Sequence, residues 1–189
     1  MRTKARILIS LAAILPVAAF AVTTPATNFT RALPGTTTAA DPTLAGTVIE
    51  DRIVPYSTLP GAPRPARGTV QVRTVRGADG RLNFYWRIVA HPSSRDVVHA
   101  LEIFRFPRRV YDANWRIDGL GTVRPVLVTG HNTAAGWRME FVFRPTIRPG
   151  QQSRFFFLRA RVRETRPATI RVRFEHSRSA MLRAVAPIS

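Results

Sequence analysis

The sequence predicts an all-β protein, an antiparallel β-sandwich of immunoglobulin-like or jelly-roll type with about 8 to 10 strands, on three observations. From about Gly46, short runs rich in Val, Ile, Phe, Tyr and Trp recur between Gly and Pro residues. Two of these runs alternate cleanly. Leu82, Phe84, Trp86 and Ile88 interleave with Asn83, Tyr85, Arg87 and Val89, and Trp137, Met139, Phe141 and Phe143 interleave with Arg138, Glu140, Val142 and Arg144. Period-2 patterning with one apolar face describes a strand half buried on a core. Helical periodicity is nowhere sustained, and Pro107, Pro125, Pro145, Pro149, Pro167 and Pro187 interrupt the stretches where a long helix would have to run.

Taken in order, residues 1–21 read as a secretory signal peptide. Arg2, Lys4 and Arg6 precede an apolar run from Ile7 to Val22, and Ala19-Phe20-Ala21 supplies the small-x-small cleavage pattern. Residues 22–44 are dominated by Thr, Ala and Pro without apolar periodicity and read as a flexible tether. Residues 45–189 form the sandwich domain. Its candidate strands are Thr47 to Val54, Gly68 to Arg76, Leu82 to Val89, Val97 to Phe106, Thr122 to Val128, Trp137 to Arg144, Arg154 to Glu164, Thr169 to His176 and Ala180 to Ala186. Gly77-Ala78-Asp79-Gly80 and Arg148-Pro149-Gly150 carry the turn chemistry expected between strands.

The 189 residues include no cysteine, which excludes disulfides, thiolate nucleophiles and cysteine metal sites. Removing the cations of the leader, Arg2, Lys4 and Arg6, lowers the formal net charge from +18 to +15. Lys4 is the only lysine. The mature chain therefore carries its positive charge almost wholly on arginine, whose planar fork pairs with carboxylate, sulfate and phosphate. A GC-rich coding bias explains the preference for arginine over lysine equally well, but the charge acts physically whatever its origin.

The strongest local pattern lies near the carboxy terminus. Phe156, Leu158, Ala160 and Val162 alternate with Arg159, Arg161 and Arg163, and Ile170, Val172 and Phe174 alternate with Arg171 and Arg173. If Glu164-Thr165-Arg166-Pro167-Ala168 closes a hairpin, the five arginines form one cationic patch on adjacent strands. Two readings stay open: a docking face for acidic polysaccharide or lipopolysaccharide, and a solvated face partly neutralised by Glu140, Glu164 or Glu175. Nucleic acid is the weakest candidate partner, because most aromatics alternate into the expected core instead of standing beside the basic groups. Phe155 and Phe157 share the arginine parity, which marks a strand covered on both sides.

No catalytic residue, metal set or cofactor pattern is assigned. His91, His99, His131 and His176 show no ligand spacing. Asp112 and Asp118 flank Trp115 as a carboxylate pair, but pairing with Arg108, Arg109 or Arg116 and turn capping is the expected use.

Further motifs are Gly46-Thr47-Val48 with Asp51 and Ile53-Val54-Pro55-Tyr56, Gly68 to Val72, Leu82 to Trp86, and Phe141-Val142-Phe143 leading to Ile147-Arg148-Pro149-Gly150-Gln151-Gln152-Ser153. In this order they resemble a diffuse group of bacterial exported domains, many of which carry a PEP-CTERM sorting tail. The resemblance implies a secreted β-sandwich of unassigned function and no catalytic residue. Ala180 to Ser189 departs from it, with no Pro-Glu-Pro motif. The expectation is a soluble, non-enzymatic protein of the periplasm or exterior, without a transmembrane anchor after processing, that binds an acidic envelope or matrix polymer. An envelope-polymer hydrolase and a structural or assembly subunit are the alternatives, and the oligomeric state is open.

Overall fold

The computed structural model describes residues 21–24, 27–104, 106–107, 110–134 and 136–187. The expected leader, apart from Ala21, lies outside the described residues. Among the described residues there are twelve strands: β1 Val22–Thr24, β2 Phe29–Ala32, β3 Gly46–Ser57, β4 Arg67–Gly77, β5 Leu82–Ala90, β6 Val98–Phe104, β7 Tyr111–Trp115, β8 Pro125–Thr133, β9 Gly136–Ile147, β10 Phe156–Ala160, β11 Thr165–Phe174 and β12 Ala180–Pro187. They form two six-stranded sheets. Sheet A runs β1-β7-β10-β5-β4-β3 and sheet B runs β12-β11-β6-β9-β8-β2, with every strand pair antiparallel. The fold is an all-β sandwich, as the alternation implies. No helix among the described residues is long and apolar enough to cross a membrane.

The core lies between the sheets. Phe84, Trp86 and Ile88 on β5, Phe156 and Leu158 on β10, Ile170 and Val172 on β11, and Met139, Phe141 and Phe143 on β9 are all buried there. Phe156 is central, its ring 4.8 Å from that of Phe141 and 5.4 Å from that of Phe143.

The strand count exceeds the expected range because β1, β2 and β7 arise where no strand was expected. The tether reading of residues 22–44 is corrected by the structure. β1 pairs with β7 at the edge of sheet A, and β2 pairs with β8 at the edge of sheet B. The chain then crosses the outer face of sheet A as a strap, residues 33–45, which ends in a short 3-10 turn at Pro42–Leu44. The missing periodicity has a physical reason: the segment crosses edges and faces instead of lining one of them. Phe29 and Leu33 are buried on the main core and Leu44 in the separate outer-face cluster, and Thr suits the short pairings between them.

The strap is fixed to β7. Thr36 N–H donates to Trp115 O at 2.9 Å, Ile117 N–H donates to Thr36 O at 2.8 Å, and Asn114 Oδ1 accepts from Gly35 N–H at 2.8 Å. Gly35 has φ +86°, and a Cβ there would lie 2.5 Å from the Trp115 ring. Only glycine permits that backbone and that contact together.

Candidate functional site

The five arginines of the expected ladder do not form one patch. Each strand has the expected parity, but β10 lies in sheet A and β11 in sheet B. Both edges of β10 are already occupied, by β5 and β7, so β11 has no place beside it. Residues 161–164 carry the chain from one sheet to the other. Of the expected hairpin turn, Glu164 to Ala168, residues Thr165–Ala168 are instead paired with β12.

Arg159 sits beneath the strap, bonded to Asp41 Oδ2 and Asp112 Oδ2 at 3.1 Å each and to the Thr43 hydroxyl. Its side chain is only 11% exposed. Arg171 and Arg173 lie on the outer face of sheet B around Glu102, whose side chain is 1% exposed. Arg171 Nη1 is 3.3 Å from Glu102 Oε2, while Arg173 Nη1 and Arg138 Nη1 are 3.3 and 3.1 Å from Oε1. Arg173 also reaches Glu140 at 3.0 Å, so Glu140 neutralises as expected, alongside the buried Glu102. Arg161 and Arg163 are exposed on the crossover. Three of the five are thus structural ion-pair members.

Asp112 and Asp118 are not brought together as a catalytic pair. Asp112 lines a cavity of about 490 Å³ with Arg81, Arg159 and Arg161. Asp118 lines a different cavity and is held by Arg116 Nε at 2.7 Å, the partner expected for it. Among the described residues, no group of three His, Asp or Glu converges as a metal set.

The feature that the sequence reading missed is the cavity of about 610 Å³ that contains Asp118. Its floor is the outer face of sheet A. Antiparallel register sets Arg73 opposite Tyr85, Gln71 opposite Arg87, and Tyr85 opposite Phe157. Strap residues Thr38, Leu44 and Ala45, with Gly46 at the start of β3, form one wall, and Arg116, Asp118, Gly119 and Leu120 form another. Leu44, Val75, Tyr85, Phe155 and Phe157 make a second apolar cluster beneath it, so this strand is covered on both sides, as the parity of Phe155 and Phe157 implied.

Three arginines line this cavity. The guanidinium carbons of Arg73 and Arg87 lie 5.1 and 5.3 Å from the Phe155 ring centroid, a cation–π arrangement that places two like charges on one ring. Arg73 is neutralised by Asp51 at 2.6 Å, and Asp51 also accepts from Gln71 at 2.8 Å. Among the described residues Arg87 makes no salt bridge and its buried Nε has no hydrogen-bond partner; its Nη1 donates to Gln152 at 3.2 Å. Burial first, and the Arg73 charge second, push the Arg87 pKa down, opposed by Asp51. The Tyr85 side chain is buried, which pushes its pKa up, and the charge and hydrogen bond of Arg116 oppose that shift. Three guanidiniums on one cavity, with Arg87 making no salt bridge among the described residues, are complementary to an anion.

Asp118 also latches the strap. It accepts from Thr38 N–H at 3.0 Å and from the Thr38 hydroxyl at 2.7 Å. Burial raises its pKa, but hydrogen bonds from Arg116 and Thr38 outweigh that effect and hold it well below the ordinary carboxylate range. A depressed folded-state pKa contributes stability that is complete above the unfolded value and is lost as pH falls toward the folded one. The stability difference between the native chain and Asp118→Asn is therefore expected to be constant from neutral pH down to about pH 5 and to shrink below about pH 4. Urea unfolding of both chains across that range measures it.

Comparison of the chain with protein-family models, curated proteins and solved structures finds no match.

Proposed function

We propose that this is an exported, non-enzymatic β-sandwich that binds an acidic polymer of the envelope or matrix by seating an anionic group in the outer-face cavity of sheet A. The observation that carries the reading is Arg87: a guanidinium that lines the cavity, makes no salt bridge among the described residues, and is crowded by Arg73 on the same Phe155 ring. The leader-like residues 1–21 and the net positive charge support export and an acidic partner. The apolar cluster beside the arginines favours a carboxylate or sulfate borne on a sugar ring over a fully solvated inorganic ion. This reading moves the binding residues from the five ladder arginines, Arg159, Arg161, Arg163, Arg171 and Arg173, to Arg73, Arg87 and Arg116.

The test is calorimetric titration with oligogalacturonate, alongside a neutral oligosaccharide and at two salt concentrations. Binding is expected for the acidic oligomer alone and weakens with salt. Arg87→Gln removes one charge-assisted contact of about 1.5–3 kcal/mol, which lowers affinity by about 10- to 100-fold. The same change relieves the Arg73 repulsion, so its unfolding free energy is expected to stay within about 0.5 kcal/mol of the parent. Equal binding by the variant and the parent would sink the assignment of the cavity.

A further inference from the structure

β3 is an end strand of sheet A, and among the described residues it hydrogen-bonds to no strand but β4. At 12 residues it is about twice the usual strand length, so it presents a long row of backbone donors and acceptors. Three of the exposed large apolar side chains stand on it: Val48 at 49%, Ile49 at 46% and Ile53 at 67%.

Its sequence has a property that the fold does not require. Val48-Ile49-Glu50-Asp51-Arg52-Ile53-Val54 has the same chemical pattern from either end, apart from a reversal of charge across Asp51. Laid antiparallel on a second copy with Asp51 opposite Asp51, each Glu50 meets Arg52 of the other copy. Opposite charges directly across two strands are a favourable cross-strand combination. The two Asp51 carboxylates that meet at the axis are each held by their own Arg73 and Gln71.

A bulge lies at Ile49, and Glu50 and Arg52 alternate with the outward-facing Asp51. Bulges and charges of this kind usually keep sheet edges from pairing indiscriminately. Here the charges are of opposite sign and symmetrically placed, so the strand that satisfies both is one bringing the same pair in reverse. In the single copy they satisfy each other, with Arg52 Nε 2.6 Å from Glu50 Oε1.

We propose that two copies of this chain pair through β3, antiparallel about Asp51, joining their six-stranded sheets edge to edge in an isologous dimer. Gln71 and Arg73, which hold Asp51, also line the cavity, so the dimer sets two cavities on one continuous outer face, suited to one polymer spanning both. The pairing itself does not depend on the ligand reading.

Sedimentation velocity on the purified chain tests it with two charge variants. Glu50→Arg presents two arginines along the edge and Arg52→Glu presents two glutamates. Each alone is expected to raise the dimer dissociation constant at least 10-fold, with an unchanged circular-dichroism melt showing that the fold persists. Mixed one to one they are complementary again, and a heterodimer of near-parental affinity is expected. That rescue restores no pair within either copy, so repair of a single chain does not account for it. A monomeric parent, single variants that dimerise as well as the parent, or a mixture that stays monomeric would each overturn the proposal.

Discussion

Glu102→Gln is expected to destabilise the domain by about 3 kcal/mol, because it removes the buried charge at the centre of three guanidiniums. Glu102 lies on β6 opposite Arg171 on one side and Glu140 on the other, which lets one carboxylate serve Arg138, Arg171 and Arg173 together. Glutamine keeps the shape and the acceptor oxygen but leaves Glu140 alone against three cations. The three arginines reach solvent at their tips, which places the cost near the lower end of the range for breaking a buried ion pair. For a domain of this size the melting temperature is expected to fall by about 6–12 °C. A loss below about 1 kcal/mol would mean that water, and not Glu102, carries the cluster.

The second large effect is expected at Arg159→Met, again about 3 kcal/mol. Methionine fills similar space while stranding Asp41 and Asp112, which Arg159 holds apart from both sides. Asp41 also caps the 3-10 turn by accepting from Thr43 N–H, so the loss extends to the strap. Hydrogen exchange in residues 36–46 is expected to speed up, and oligogalacturonate affinity to fall, although Arg159 does not line the cavity. Arg161→Ser and Arg163→Ser serve as contrasts. Both arginines are exposed, and each change is expected to stay within about 0.5 kcal/mol in urea unfolding. Five arginines with one sequence signature thus divide into two behaviours, and an equal response from all of them would contradict the division.

The sandwich was legible because alternation is a local property. Leu82 to Ile88 and Trp137 to Phe143 alternate because one face of each meets the core, and the nine expected strands all appear. What stayed illegible depended on which strands become neighbours. The parity of Arg159 and of Arg171 and Arg173 was readable, but whether β10 turns back into its own sheet was not; β5 and β7, distant in sequence, fill that space. Strap residues 33–45 looked featureless because their anchors, Leu33, Gly35, Asp41 and Leu44, each meet a different part of the fold.

The cavity was hidden for the same reason. Arg73, Arg87, Arg116 and Tyr85 come from three separate stretches and meet only through register. One signal was present in the sequence. Tyr85, Phe155 and Phe157 stand on the polar parity of their strands, and large aromatics there imply that something covers the outer face. The residue that flags the site, Arg87, carries no motif; it is distinguished by making no salt bridge among the described residues while sharing the Phe155 ring with Arg73.

The central claim is that the anion-binding locus is this cavity and not the carboxy-terminal arginines. Amide chemical-shift mapping during titration with trigalacturonate tests it most directly. The account predicts saturable shifts confined to the outer face of sheet A, at Arg73, Tyr85, Arg87, Arg116 and strap residues 38–45, and none at Arg171 or Arg173. Shifts centred on Arg171 and Arg173, or spread evenly over the exposed arginines without saturation, would contradict it.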